Sequence, residues 1–314
     1  MSGEIVVPVQ FHVVRRSDGV GGLSAAELED EFDRLNDLFA PADIRFCLAG
    51  PTRFIDSDSF FLQTTTLAQI DALRMTDPAP NAMNAFYVPF LAFEPFGEIL
   101  GVSSITAATV QGIVMSNRTA LESTWRGVLA HEAGHYFDLY HTFETVFGLE
   151  CPSGSNCAFA GDLVCDTPAD PGVFAYSGCQ WVGSAAPRCG SSTFNPPGRN
   201  LMNYTGGCMN DFTPGQIIRM RETIQFLRPE LMESGCAVFA CSPADVTGVG
   251  VADGVPDGLV TLSDFSFYLS LWASGDAMAD ITPTGTCDPS TGGGDGVDLS
   301  DFSCYLSVWS AGCP

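Results

Sequence analysis

Three of the four histidines in the sequence lie in one short segment, residues 131–141, which reads HEAGHYFDLYH. On an α-helix the side chains at positions i and i+4 share a face, so His131 and His135 can bind one ion beside Glu132. Imidazole nitrogen suits Zn²⁺, and a catalytic zinc site has three protein ligands and an open position for water. His141 lies too far beyond His135 to share that face, so the chain must turn back. The segment predicts a zinc site with Glu132 as general base.

Two other interpretations of this segment stay open. The histidines could be incidental residues of an amphipathic helix, because a short HExxH motif is of limited specificity. Alternatively, His131 and His135 could bind zinc together with Glu144 or Glu150 as the third ligand. The concentration of histidine in one segment favours the three-histidine site described above over both of these alternatives. His12 falls in a separate, strand-like segment and is expected to be structural.

Hydrophobic periodicity predicts the strands that would support this site. Residues 5–14 are rich in β-branched and aromatic side chains and alternate, which is typical of a strand. Further strands are predicted at residues 44–48, 84–90 and 111–116.

Three helices are predicted from apolar spacing and capping residues. Ser24 is expected to cap a helix that ends near Phe39, with Glu27 at the capping-box position. The zinc segment is expected to lie on a helix over residues 121–138. A third helix, over residues 213–232, is predicted to have Pro214 at its first position. Strands that alternate with helices indicate an α/β-type region within an α+β protein.

The composition limits the partners. The net charge is −24, with 37 acidic residues against 13 basic ones, all of them Arg. Such a chain repels nucleic acid and anionic membrane surfaces, and no stretch has the length of a membrane span. Surplus carboxylates suit an extracellular protein or one that binds Ca²⁺, although compositional drift or adaptation to salt explains the missing Lys equally well.

The chain contains 12 cysteines, half of them between residues 151 and 208. In a segment rich in Gly, Pro and Ser, they indicate disulfides and therefore an oxidising, extracellular compartment. A thiolate metal cluster is the alternative, but no paired CxxC spacing occurs. The first residues lack the pattern of a signal peptide, so we expect any leader or pro-segment to lie outside this sequence.

Residues 236–314 differ in composition and contain an internal repeat. The sequence LSDFSFYLSLW at 262–272 recurs as LSDFSCYLSVW at 299–309, and ADVT at 244–247 recurs as ADIT at 279–282. Residues 253–264 fit a twelve-residue calcium loop, with Asp253, Asp257 and Asp264 at positions 1, 5 and 12. The sequence therefore predicts a separate, small helical module with calcium loops, distinct from a first domain over residues 1–235.

Several segments resemble known proteins. The spacing of the zinc segment resembles that of the metzincin peptidases, although Asp138 stands where these have glycine. Four stretches, in the same order along the chain, resemble the cytophagalysin or pappalysin family, which includes ulilysin: IRFCLA at 44–49, LYHTF at 139–143, GDLVCDTP at 161–168, and NLMNY at 200–204 followed by FTPGQ at 212–216.

The resemblance implies roles for further residues. Met202 corresponds to the methionine of the Met-turn, which forms an apolar floor under the zinc ligands. The alternative, a methionine that is simply buried, is physically almost the same arrangement. Tyr204 corresponds to a phenol that helps zinc to stabilise the oxyanion, or else is a core or surface residue. The peptide substrate would pair with an edge strand, for which residues 101–105 are a candidate.

The resemblance also implies calcium and disulfides in the irregular segment. Family members bind Ca²⁺ near the residues that match Asp166, Thr167 and Asp170, which would otherwise form a polar turn. The implied disulfides are Cys165–Cys189 and Cys179–Cys208, with Cys151–Cys157 as an additional local one. Acidic residues found in family members that cleave beside Arg or Lys are replaced by Gly206 and Gly207, which argues against a strong basic preference.

Together these features predict a metzincin catalytic domain, with a twisted sheet, an active-site helix and an irregular lower subdomain. The expected activity is secreted, zinc-dependent endopeptidase cleavage of protein or peptide substrates. The alternative is an inactive homologue that acts as a calcium-dependent extracellular binding module. The C-terminal module resembles a dockerin, which implies a docking partner, unless it is only a spacer that binds nothing.

Overall fold

A long strand, β1 (Ile5–Arg15), begins close to the N-terminus of this computed structural model. The structure describes residues 3–93, 96–191, 193–233, 236, 244, 246, 260–281 and 296–311. The chain forms two units, Met1–Gly235 and Cys236–Pro314.

The first unit contains a six-stranded mixed sheet with the order β2-β1-β4-β8-β7, in which β3 also pairs with β1. Its strands after β1 are β2 (Ile44–Leu48), β3 (Arg53–Asp56), β4 (Met83–Val88), β7 (Gly101–Ser103) and β8 (Ile113–Ser116). Before β7, two strands of two residues each, β5 (Ala92–Phe93) and β6 (Gly97–Glu98), form a separate antiparallel pair. All pairs in the large sheet are parallel except that of β7 with β8, and β7 forms one edge.

Helices cover both faces of this sheet. They are α1 (Ala25–Phe39), α2 (Asp58–Leu62), α3 (Leu67–Arg74), α4 (Arg118–Leu121), α5 (Val128–Tyr136), α6 (Pro214–Glu222) and α7 (Glu230–Glu233). The main core packs alternate residues of β1, such as Val7 and Val9, against α1 and α5. A smaller core on the other face packs Val14 against α3. The predicted capping box of Ser24 and Glu27 is present, and the predicted α+β fold is confirmed.

Two predicted helices are shorter than expected. The helix expected over residues 121–138 begins only at Val128, because Glu122 is extended and the chain turns before Gly127. A Cβ atom at Gly127 would lie 3.1 Å from the backbone oxygen of Met209, so the chain passes closely there. The helix expected over residues 213–232 ends in a π-helical turn at Thr223–Leu227, because Pro229 disfavours helical backbone at Arg228.

The segment between α5 and α6 is irregular, as predicted, with one short antiparallel pair, β9 (Tyr176–Ser177) and β10 (Gln180–Trp181). Its disulfides are Cys151–Cys189, Cys157–Cys165 and Cys179–Cys208. Cys179–Cys208 is the one that the resemblance implied. The expected Cys165–Cys189 and Cys151–Cys157 bridges are wrong.

The geometry of the loop explains this exchange of partners. The chain folds back between residues 157 and 165, which brings the Cα atoms of Cys157 and Cys165 to 4.9 Å. Cys189 then lies 5.6 Å from Cys151, measured between Cα atoms. Every cysteine in the described part of the chain is disulfide-bonded, Cys47, Cys236 and Cys304 included, so no thiolate metal cluster forms among these residues.

The described part of the second unit contains two helices of equal length, α8 (Leu262–Ser274) and α9 (Leu299–Ala311), which carry the two copies of the repeat. Tyr268 and Tyr305 stack with their ring centroids 3.7 Å apart. The Tyr268 hydroxyl donates to the Ala279 carbonyl, and the Tyr305 hydroxyl donates to the Ala244 carbonyl, so each helix is bonded to the other copy. Across the described residues of both units, no helix combines the length and apolar character that crossing a membrane requires.

Candidate active site

The three histidines of the zinc segment meet at one point. Nε2 of His135 lies 3.1 Å from Nε2 of His131 and 3.0 Å from Nε2 of His141. His131 and His135 lie one turn apart on α5, and His141 returns from the chain beyond the helix. Tetrahedral nitrogen ligands of one zinc ion lie roughly 3.3 Å apart, so the spacing suits that ion.

The protonation of these rings is set by the backbone. Nδ1 of His131 lies 2.6 Å from the Leu201 carbonyl oxygen, and Nδ1 of His135 lies 2.7 Å from that of Leu139. A carbonyl oxygen only accepts, so each Nδ1 carries the proton. Burial lowers the pKa of His131 to about 3 and that of His135 to about 4, and it lowers the pKa of His141 as well. The rings are neutral, and the bare Nε2 lone pairs of His131 and His135 face each other, as metal ligands require.

A left-handed turn returns the chain to the site. Asp138 has a φ of 62° and stands where helices commonly end in glycine. The amide of Leu139 donates to the Gly134 carbonyl and the amide of Asp138 donates to that of His135, which closes the end of α5. The turn directs the Leu139 carbonyl at His135 and brings His141 back to the other two rings.

Glu132 is buried beside the tripod and behind the edge strand. Burial raises the pKa of its carboxyl to about 8, against the opposing effects of Arg74 and of the hydrogen bond from the Ser103 amide. A nearby dication would lower this pKa and favour the carboxylate. A Cβ atom at Gly101 would lie 2.6 Å from Cγ of Glu132, so this close packing requires glycine in β7.

Met202 lies under the helix that carries the first two histidines. Its side chain is fully buried, and its backbone oxygen accepts a hydrogen bond from the Thr142 amide. A Cβ atom at Gly134 would lie 2.5 Å from the Met202 sulfur, so the small residue inside the HEAGH motif makes room for this methionine.

Tyr204 borders the tripod with its side chain 55% exposed. Its ring centroid lies 4.7 Å from that of His141 and 5.7 Å from that of His131. Phe143 stacks on His141 and also contacts Tyr204, and Phe174 completes the aromatic group. Burial, followed by the charge of Glu132, raises the pKa of Tyr204 to about 12, so the phenol is a proton donor at neutral pH.

The acidic residues expected to bind calcium have other partners. Asp166 accepts hydrogen bonds from the Thr213 hydroxyl and the Gly215 amide at the start of α6. Asp170 accepts from the Thr142 hydroxyl and the Asn203 side chain, and so supports the chain around Met202. The structure therefore occupies both carboxylates with hydrogen bonds, whereas the buried hydroxyl of Thr167 has no such partner.

Oxygens without partners lie instead on Glu150 and Asp162. Both side chains are buried, and both oxygens of Glu150 and one of Asp162 lack a hydrogen-bond partner. Burial, followed by the charge of Asp162, raises the pKa of Glu150 to about 7. Burial raises that of Asp162 to about 6, against the opposing effect of the hydrogen bond from the Val164 amide. The sequence contained one signal for this group, because Asp162 lies in the GDLVCDTP stretch, but Glu150 had none.

The rival third ligands of the tripod lie elsewhere. Glu150 belongs to the buried acidic group, and Glu144 accepts hydrogen bonds from the amides of Thr145 and Val146. Among the described residues, His131, His135 and His141 are the only group of three or more His, Cys, Asp or Glu side chains that could hold a metal ion.

The C-terminal calcium loop is described only at its end. Asp253 and Asp257 lie outside the described residues. Asp264 is buried in α8, where it accepts hydrogen bonds from the Val246 amide and from the amide and hydroxyl of Thr261.

Comparison with known proteins agrees with this site. Residues 100–225 match the family described as Pregnancy-associated plasma protein-A (Peptidase_M43). An extracellular metalloprotease of Colletotrichum graminicola is 34% identical over 227 residues, which cover 69% of this chain and 75% of that protein. One from Verticillium alfalfae is 31% identical over 228 residues, covering 69% of this chain and 76% of that protein. Mature mirolysin of Tannerella forsythia, solved in complex with a cleaved peptide, has a similar fold: the TM-score is 0.55, at 22% identity, over 74% of this chain and 97% of that one.

The mixed sheet with its antiparallel edge strand, the histidine tripod and the turn after α5 define a zinc metalloendopeptidase of the metzincin fold. With relatives of this similarity and coverage, the chain belongs to the pappalysin family of metallopeptidases. The alternative of an inactive binding module is not favoured, because the relatives are named metalloproteases.

Proposed function

We propose that His131, His135 and His141 hold the catalytic zinc ion and that Glu132 is the general base for peptide hydrolysis. The observation that most supports this is the approach of the three Nε2 atoms to 3.0 and 3.1 Å in neutral rings, because the facing lone pairs of His131 and His135 repel unless a cation lies between them. When bound, zinc polarises the scissile carbonyl and lowers the pKa of water toward neutrality.

The residues around the tripod supply the remaining steps. Glu132 takes the proton of the attacking water and later gives it to the leaving amine. The Tyr204 phenol donates a hydrogen bond to the developing oxyanion. The side of β7 (Gly101–Ser103) that faces away from β8 binds the backbone of an extended peptide, since β7 is an edge strand of the sheet.

Replacement of the general base tests this proposal. We expect Glu132→Ala to keep zinc, since no ligand changes, but to lose proteolysis, because no group remains to take the proton of the water. Casein cleavage and zinc content by atomic absorption check this, with Glu122→Ala, an exposed surface carboxylate, as control. Cleavage by Glu132→Ala at the wild-type rate would rule out this mechanism.

We also propose that Glu150, Asp162 and Thr167 bind a calcium ion that stabilises the irregular segment. Three buried carboxylate oxygens without hydrogen-bond partners, two on Glu150 and one on Asp162, and the buried Thr167 hydroxyl supply the hard oxygens that Ca²⁺ prefers. The charge of Asp162 adds to burial in raising the pKa of Glu150, and two neighbouring buried carboxylates are destabilising unless a cation compensates them. This set replaces Asp166 and Asp170 and retains Thr167 from the set that the family resemblance implied.

We further propose that the protein is extracellular and that residues 236–314 have a docking role. The relatives are named extracellular, and disulfides are typical of an oxidising compartment. The two repeat copies are bonded to each other through Tyr268 and Tyr305, which supports a small module of its own. Its calcium loop would include Asp253, Asp257 and Asp264, and its dockerin-like pattern points to a protein partner.

A further inference from the structure

Asp138 makes contacts that the turn itself does not need. The left-handed backbone that it adopts, with a φ of 62°, is strained for a residue other than glycine. Its carboxylate accepts a hydrogen bond at 2.8 Å from the Thr106 amide and another at 2.6 Å from the Thr106 hydroxyl. The hydrogen bonds that close the turn are between backbone groups, so glycine would form them without strain.

Thr106 lies in the loop at residues 104–112, which joins the edge strand β7 to β8. This loop is held from within, because the Gln111 side chain donates to the carbonyls of Ile105 and Ala108 and accepts from Arg228. A loop stiffened in this way transmits the position of Thr106 to β7.

We propose that Asp138 is a positioning residue, which fixes β7 and its loop relative to the turn that returns His141 to the tripod. The inference rests on the proposed function, because it takes β7 as the strand that pairs with the substrate. The carboxylate links the element that would bind the peptide backbone to the element that carries the third zinc ligand. Glycine would shape the same turn but would leave the edge strand unattached.

The expected kinetic effect is on KM rather than on kcat. The backbone pairing with β7 is made in the ground state and kept in the transition state, so its loss weakens both equally. Tyr204 lies in the segment after Met202, and Glu132 contacts β7 at Gly101 and Ser103, before the loop that Asp138 tethers, so kcat should change less than KM.

Three variants of the full-length protein separate the tether from the turn. Asp138→Gly keeps the turn and removes the tether. Asp138→Asn keeps an acceptor for the Thr106 amide and a polar partner for its hydroxyl, so it should restore most of the effect. Asp43→Gly is the matched control, since Asp43 is also left-handed, with a φ of 51°, but lies between a 3₁₀ turn at Ala40–Ala42 and β2.

The measurements are kcat and KM on a quenched fluorescent peptide built around a cleavage site mapped in casein, zinc content, and hydrogen exchange of metal-free protein over residues 100–113. We expect Asp138→Gly to raise KM roughly ten-fold, with kcat changed less than about two-fold. Exchange over residues 104–112 should become faster, while zinc content stays at the wild-type value. Asp138→Asn should lie close to wild type, and Asp43→Gly should match it in KM and in exchange.

Unchanged KM and exchange in Asp138→Gly would overturn the inference. So would zinc loss with unchanged exchange, because Asp138 would then serve the turn alone. Failure of the proposed function would show differently, as an absence of chelator-sensitive cleavage by the wild-type protein.

Discussion

The chemistry of single residues in this site depends on which imidazole nitrogen carries a proton. The carbonyls of Leu201 and Leu139 accept from Nδ1 of His131 and His135, which leaves each Nε2 bare toward the centre of the tripod. One carbonyl belongs to the segment before Met202 and the other to the left-handed turn after α5. Both ends of the site therefore select the same tautomer, so the metal ligands are set before any ion binds.

Tyr204→Phe tests the role of the phenol. We expect kcat to fall about 10- to 100-fold with KM and zinc content nearly unchanged, because a donor to the oxyanion acts mainly in the transition state. Steady-state kinetics on the casein-derived peptide measure the effect. Tyr140→Phe, which removes a phenol from the neighbouring turn, should match wild type. An unchanged kcat in Tyr204→Phe would indicate that the role of Tyr204 is structural.

At the scale of elements, the edge strand and the zinc helix are packed as one unit. Gly101 leaves no room for a side chain beside Glu132, and the Ser103 amide donates to the carboxylate. The same strand accepts a hydrogen bond at the Val102 carbonyl from the buried guanidinium of Arg74. The proposed general base and the proposed substrate strand are thus positioned by each other.

Gly101→Ala tests this packing. The added methyl group would lie 2.6 Å from Cγ of Glu132, so either the strand or the carboxylate must move. We expect kcat/KM to fall at least about ten-fold and stability to fall by about 1–3 kcal/mol, the usual cost of overpacking. Zinc content, which depends on the histidines, should stay constant. Wild-type kinetics in this variant would show that the two elements are not coupled.

At the scale of the whole molecule, the chain carries a net charge of −24 and buries several acidic groups. Glu150 and Asp162 are buried together without a hydrogen-bonded cation, so their repulsion must be offset by an ion or by protons. The stability of the first unit is therefore expected to depend on Ca²⁺ and on pH.

Calcium dependence is tested by thermal unfolding of the zinc-loaded protein with and without millimolar Ca²⁺. We expect Ca²⁺ to raise the melting temperature of wild type and to slow hydrogen exchange over residues 150–167. Glu150→Gln should lose this response and should melt above wild type when Ca²⁺ is absent, because one repelling charge is gone. Asp166→Asn should keep the response, and its loss there would favour the ligand set that includes Asp166. Slower exchange over residues 253–264 on adding Ca²⁺ would support the C-terminal loop in the same experiment.

Glu31 predicts a separate pH dependence of stability. Its buried carboxyl accepts from the Tyr87 hydroxyl, and burial raises its pKa from 4.5 to about 7. A raised pKa contributes stability below about pH 4.5 that is lost as the pH rises through about 7. We expect the stability of Glu31→Gln relative to wild type to increase by about 3 kcal/mol as the pH rises from 5 to 8. Urea unfolding at several pH values measures this, and a constant difference would contradict it.

The predictable part of the fold comes from patterns local in sequence. The strand at Ile44–Leu48, the capping box of Ser24 and the position of Pro214 at the start of α6 match prediction, because β-branched runs, capping side chains and proline act within a few residues. The helix that carries His131 is shorter than the sequence predicts. It begins only after Gly127, which packs closely against Met209, and these two residues are far apart in sequence.

The sequence alone determined the chemistry of the zinc segment, because the spacing of His131, Glu132 and His135 specifies a helical face without reference to the rest of the chain. Only the tertiary structure decided which cysteines pair, that Glu150 and Asp162 are buried together, and that Asp138 contacts Thr106. Each of these depends on chain segments that are separated in sequence and meet only when the loops fold. A local pattern contains no information about such meetings, whereas burial and distance show them directly.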